Sequence, residues 1–349
     1  MPEAKKRLNY IDVMRAFTML LVVKQHVDSF ALTGYYVPLH KVLYAVRMPM
    51  FFFISGFIGY KALEFWNADN YKSRLAKKAF VQLVPATIFF LLSALAFGID
   101  PVAVFLQNGY EKYWFTAVLL GMFCIYYTTS FVARRWRWGS GVVDAVLLCV
   151  SLSMWLVYAR CDLHHFHHQV WDMLMADRLC HFFVFFVTGT LCRKHGTTFH
   201  RLLSHRVFMV AVVAAFAGCI VLMFGTWLPA RAPQLLNYGI QTLTVSILGI
   251  LVVYRCFYAL RHVLDNGSRV SRALAFAGRR TLDVYLIHYF FMPGMAPYLP
   301  GLHVMDSTWA NALTSVSLSV AIYCACLCVS RLIRFSPTLA HWLLGANKP

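Results

Sequence analysis

Apolar runs about twenty residues long recur along the whole chain, separated by short polar stretches. Within each run the apolar residues are irregularly placed and rich in Phe, Leu and Val. The dyad alternation of an outer-membrane barrel strand is missing. A helix needs roughly 17–25 such residues to cross the hydrocarbon. Runs of that kind predict spans at 10–31, 42–62, 79–98, 112–132, 141–158, 177–192, 207–226, 236–259, 278–295 and 309–331. A re-entrant segment near 270–280 would be an addition to these ten. After the last run, Ser336 has the character of an N-cap and Pro337 that of a first helical residue, so a short interfacial helix is expected there. The fold class is therefore all-α, a polytopic transmembrane helical bundle of about ten spans. We expect one membrane domain over 1–349 with short cytoplasmic tails at 1–9 and 332–349. No repeat or linker interrupts it.

Composition supports this class. The chain is 60% hydrophobic and only 13% charged, against about half apolar and a quarter charged in soluble domains. The first apolar run is long and lacks a small-residue cleavage site, so it is expected to remain as a span. The net charge of +18 would suit a nucleic-acid partner. Its placement argues otherwise. Of 32 Lys and Arg, 24 fall in one alternating set of connections, and only Lys41, Lys112, Arg160 and Arg231 fall in the other. This bias places the basic set and both termini in the cytoplasm and implies an even number of spans. Most of the ten cysteines lie within or beside apolar runs, where free Cys acts as a small hydrophobe. A bridge between Cys161 and Cys180 is not expected. The loop "HHFHH" at His164–His168 contains an i, i+4 histidine pair, a spacing compatible with metal. No helix signal accompanies it, and a solvated loop is the simpler reading, with no metal site.

The four remaining basic residues, Arg15, Lys24, Arg47 and Arg178, lie inside spans, where charge rarely faces lipid and often marks a site. The first span contains Asp12, Arg15, Lys24, His26 and Asp28. Arg15 and His26 are eleven residues apart, which at about 100° per residue puts them within about 20° on one face and about 16 Å apart along the axis. Asp12 lies near the same stripe, three residues before Arg15. Lys24 and Asp28 read as boundary residues, with Lys24 snorkelling outward. The plainer alternative for Asp12 and Arg15 is an interfacial ion pair, with His26 at the outer helix end.

Arg15 and His26 form R-x10-H. Further along come "MPMFFFISGF" (48–57), "YWFTAVLLGMF" (113–123), "FFVFFVTGTL" (182–191) and "GRRTLDVYLIH" (278–288). In this order and over nearly the whole chain, these segments resemble the acyltransferase-3 family of integral membrane acyltransferases, which includes bacterial O-acyltransferases of surface and periplasmic glycans. Many members have R-x-x-R before the third helix. Here "SRLAKKAFVQLVP" places Arg74, Lys77 and Lys78, and Lys lacks the planar fork of Arg.

The resemblance implies an enzyme of the cell (inner) membrane that carries acetyl, or another short acyl group, from acyl-CoA to a hydroxyl of a glycan or lipid-linked sugar. It implies no bound cofactor and no nucleic-acid partner. Acyl transfer needs a base for the hydroxyl proton and stabilisation of a developing oxyanion. His26 is the expected base, with an acyl-His intermediate as the alternative. Arg15, Arg74, Lys77 and Lys78 are candidates for the donor phosphates. Other polar groups have competing readings. Arg47 either lines an outer pocket or snorkels. Trp114 either stacks on a sugar or sits at the interface. Arg178 either serves the site or pairs with Asp172 or Asp177. Asp283 either serves the site or pairs with Arg279 or Arg280. Tyr285 and His288 are pocket candidates, and Ser55 either donates a hydrogen bond or, the simpler reading, allows close helix packing with Gly56. A transporter or flippase is the rival reading. Transporters often show inverted repeats with matching broken helices, and the sequence offers no such pair.

Overall fold

A computed structural model describes residues 8–31, 39–160, 169–224, 239–292 and 308–347. Its helices in chain order are α1 (Asn9–His26), α2 (Leu39–Gly59), α3 (Ala68–Phe97), α4 (Pro101–Asn108), α5 (Trp114–Arg135) and α6 (Ser140–Arg160). They continue with α7 (Gln169–Leu174), α8 (Ala176–Lys194), α9 (Gly196–Ser204), α10 (Arg206–Phe224) and α11 (Val245–Ala259). The last five are α12 (Arg261–Leu264), α13 (Arg269–Arg279), α14 (Thr281–Ile287), α15 (Thr308–Ile333) and α16 (Pro337–Leu344). No strand occurs among the described residues.

Seven helices among the described residues are long and apolar enough to cross a membrane: Lys41–Gly59, Ala68–Phe97, Glu111–Arg135, Ser140–Arg160, Val170–Lys194, Arg206–Met223 and Trp309–Ile333. Each coincides with an expected span. The expected span 79–98 begins about three turns earlier, because hydropathy marks only the apolar part of a helix. Its polar start is closed by Asn67, whose side chain accepts from the Asn70 N–H at 2.8 Å. The expected span 278–295 is interrupted. α13 stops at Arg279, α14 restarts at Thr281, and a tighter 3₁₀ turn follows over His288–Phe291. The first span is helical to His26 and then widens into a π-type turn at Val27–Ala31. The terminal cap is as expected. Ser336 accepts from the Leu339 N–H, and Pro337 opens α16.

The chain forms two compact units. Unit 1 comprises 1–51, 202–227 and 241–331. Here α1 packs along α13 and α11. The α1–α13 contact is close because Gly278 lies against the Asp12 carbonyl, where any Cβ would collide with backbone. Met14, Val23, Val27, Val284 and Leu286 are fully buried in this unit. Pro49 lies inside α2 and has no N–H to give the Ala45 carbonyl four residues earlier. The Ser246 hydroxyl of α11 supplies the missing donor at 2.5 Å, and Gly249 one turn on admits Val46.

Unit 2 comprises 52–201, 228–240 and 332–349. Within it α3 packs on α5, α6 on α8, and α16 on α3. The end of α2 meets α8 through a reciprocal pair. Gly56 sits against the Phe186 carbonyl and Gly189 against the Phe53 carbonyl. This is the small-residue approach used in membranes, where van der Waals packing rather than water expulsion holds helices together. Outward, α6 exposes Val142, Leu148, Val150, Leu152, Leu156 and Val157. In water such a surface would drive association. Lipid tails are as apolar as Leu and impose no such cost.

Candidate active site

Unit 1 gathers much of the chemistry that the sequence singled out. His26 is the last α-helical residue of α1 and is partly exposed. Its Nδ1 lies 2.9 Å from Nε2 of His288, and its Nε2 lies 3.2 Å from the Tyr289 hydroxyl. The His288 Nδ1 lies 3.0 Å from the Val284 carbonyl oxygen. These contacts set the tautomers. A carbonyl can only accept, so His288 has its proton on Nδ1 and a lone pair on Nε2. His26 therefore donates from Nδ1 to His288, which leaves its Nε2 as the basic nitrogen. Tyr289 donates to that nitrogen. The assignment follows from the hydrogen-bond network. Fully buried, His288 occupies the place of an orienting group behind a base.

At the other end of the stripe, Arg15 donates to the Thr281 hydroxyl at 2.9 Å and lies 3.8 Å from the Asp12 carboxylate. Arg15 and His26 thus address the same interrupted helix, at Thr281 and at His288. Asp283 is buried, accepts from Ser330 at 2.5 Å and lies 3.9 Å from Arg280. The expected partner among Arg279 and Arg280 is the second. Tyr285 is buried with its ring centroid 6.0 Å from that of His288.

Asp28 is buried rather than placed at an exposed boundary. It accepts from Lys24 at 2.6 Å and from the Ser315 hydroxyl, so Lys24 turns inward to pair with it. Arg47 is also buried, at 8% exposure, which excludes the snorkelling alternative.

The profile of the acyltransferase-3 family, described as an acyltransferase domain, matches residues 8–332. The chain belongs to the acyltransferase-3 family. No curated protein matches it, and neither does any solved structure. Membership of this family, together with seven apolar helices, identifies a multi-pass membrane acyltransferase.

The remaining candidates of this acyltransferase belong to unit 2. Trp114 stacks on Phe182 with centroids 5.7 Å apart, and the Arg178 guanidinium lies 4.8 Å over the Trp114 ring. Arg178 thus meets the face of Trp114. Arg74, Lys77 and Lys78 follow helical spacing on α3. Arg74 lies 5.2 Å from the Phe65 ring and Lys78 3.9 Å from the Phe123 ring, and Lys77 donates to Asn347 at 3.1 Å. His164–His168 and Cys161 lie outside the described residues.

Sequence reasoning missed Tyr289, Thr281, Ser315 and Ser330. Tyr289 directly follows His288, but neighbours on a helix point about 100° apart, so periodicity offers no reason for both to meet one imidazole. The hydroxyl residues carry no signal in an apolar run, because Ser and Thr commonly bond their own helix there.

Proposed function

We propose that this membrane acyltransferase is an O-acyltransferase of the inner membrane that moves acetyl from acetyl-CoA to a hydroxyl of a cell-surface or periplasmic glycan or glycolipid. The observation that carries the reading is the His26 imidazole, oriented by His288 so that its basic Nε2 meets a hydroxyl. In the resting site that hydroxyl belongs to Tyr289. An acceptor hydroxyl that took this position would lose its proton to Nε2 as its oxygen attacked the thioester carbonyl. The proton would then pass to the departing CoA thiolate. Arg15 in unit 1 and, separately, Arg74, Lys77 and Lys78 in unit 2 are candidates for charge-assisted contact with the donor phosphates.

The test compares purified wild-type protein with His26→Ala in acetyl transfer from acetyl-CoA to envelope glycan taken from cells lacking the gene. Removing a general base costs about 10²–10⁴-fold, so His26→Ala should lose nearly all transfer while remaining inserted. Mass spectrometry of the same glycans from cells with and without the gene should show a missing acetyl increment. Unchanged glycans, or full transfer by His26→Ala, would remove this reading.

A further inference from the structure

One buried charge near the imidazole pair has work left to do. Arg47 lies in the turn of α2 that Pro49 disrupts and directly follows Val46, which packs on Gly249. Its Nε and Nη1 are both buried and have no hydrogen-bond partner among the described residues. The guanidinium carbon lies 4.9 Å over the Tyr44 ring, an interaction with a π face that uses none of the N–H directions. A buried guanidinium with unused donors is costly to hold in a protein interior. The surrounding backbone is nonetheless well fixed. Ser246 satisfies the carbonyl that Pro49 orphans, so the turn bearing Arg47 is pinned to α11. Arg47 also lies within electrostatic reach of His26, Tyr289 and Asp28. Asp28 is already held by Lys24 and Ser315.

We infer that Arg47 is a catalytic residue whose free N–H groups bind the oxyanion that forms on the thioester carbonyl during acyl transfer. The inference rests on the proposed reaction. As the acceptor oxygen bonds to the carbonyl carbon, the C=O electron pair moves onto oxygen, and one of the unpartnered N–H groups of Arg47, on Nε or Nη1, donates to it. His26 Nε2 takes the acceptor proton. When the C–S bond breaks, the pair returns to re-form C=O and the proton moves to the CoA sulfur. Donors that are pre-placed and buried need no reorganisation when the charge appears, and they act most strongly where water is excluded. A mere ground-state contact to the donor would instead change its binding.

The experiment uses full-length protein in proteoliposomes, acetyl-CoA, and envelope glycan from cells lacking the gene. Wild type, His26→Ala, Arg47→Met and Arg47→Lys are compared, with thermal unfolding recorded for each. Removing an oxyanion donor costs about 10²–10³-fold in kcat. Arg47→Met is expected to show that loss with KM for acetyl-CoA within about threefold of wild type. Arg47→Lys, which keeps the charge but not the fork, should fall between them. If Arg47→Met unfolds, the kcat of folded Arg47→Lys decides, and a value equal to wild type overturns the inference. A folded Arg47→Met with wild-type kcat, or with its whole defect in KM, also overturns it. Transfer that fails in His26→Ala but persists in Arg47→Met would remove the Arg47 role alone. A wild type without transfer would remove the parent reading as well.

Discussion

His26 shows how much of a catalytic group's character lies in its neighbours. An isolated imidazole has two nitrogens and no preference that chemistry can use. Here the Val284 carbonyl orders His288, and His288 orders His26, so one nitrogen is basic by elimination. Replacing His288 by Ala should lower kcat by about tenfold to a hundredfold, less than the about 10²–10⁴-fold that loss of the general base itself costs. KM for acetyl-CoA should hardly change. His288→Gln keeps a side-chain acceptor and should recover part of the loss. Steady-state kinetics on the three proteins check this, and a His288→Ala enzyme with full kcat would show that the imidazole needs no such support. The R-x10-H stripe was legible because helical period alone puts Arg15 and His26 on one face. Their partners were not, because Thr281 and His288 are more than 260 residues away in sequence.

At the scale of elements, glycines and a proline decide how closely helices approach. Gly278 lets α13 touch the backbone at Asp12, the turn that leads into Arg15. Gly278→Val should force the two helices apart, at a cost of about 1–3 kcal/mol or more in stability, read as a lower unfolding temperature in detergent. Gly189→Leu should do the same to the α2–α8 contact in unit 2. The Pro49–Ser246 relation makes a sharper prediction. Ser246→Ala leaves the Ala45 carbonyl without its donor and should cost about 1–3 kcal/mol. In a Pro49→Ala background the helix can supply its own N–H, so the same substitution should cost less. A double-mutant cycle measured by denaturant unfolding would give a coupling of about 0.5 kcal/mol or more. Strict additivity would mean that Ser246 does not replace the proline's missing donor. Hydropathy located α2, and the small pair Ser55 and Gly56 pointed to close packing, yet neither could tell which helix would repair the break at Pro49.

For the whole molecule, the charge bias between connections predicts that both termini face the cytoplasm. Reporter fusions after Arg137, after Arg160 and at the C-terminus test it. A cytoplasmic reporter should be active at the first and last positions, and a periplasmic phosphatase at the middle one. Phosphatase activity at the C-terminus would mean an odd number of spans. The seven long apolar helices follow from sequence alone, because each apolar run must satisfy its backbone internally in lipid, and a helix does so using only its own residues. The face shared by Arg15 and His26 is local in the same sense. The tertiary structure decided what is non-local: which helix interrupts at Arg280, which ring stands behind His26, and that Asp28 and Arg47 are enclosed. Burial, tautomer and unspent hydrogen-bond donors depend on groups distant in the chain meeting within a few ångströms, and no pattern along one helix encodes that meeting.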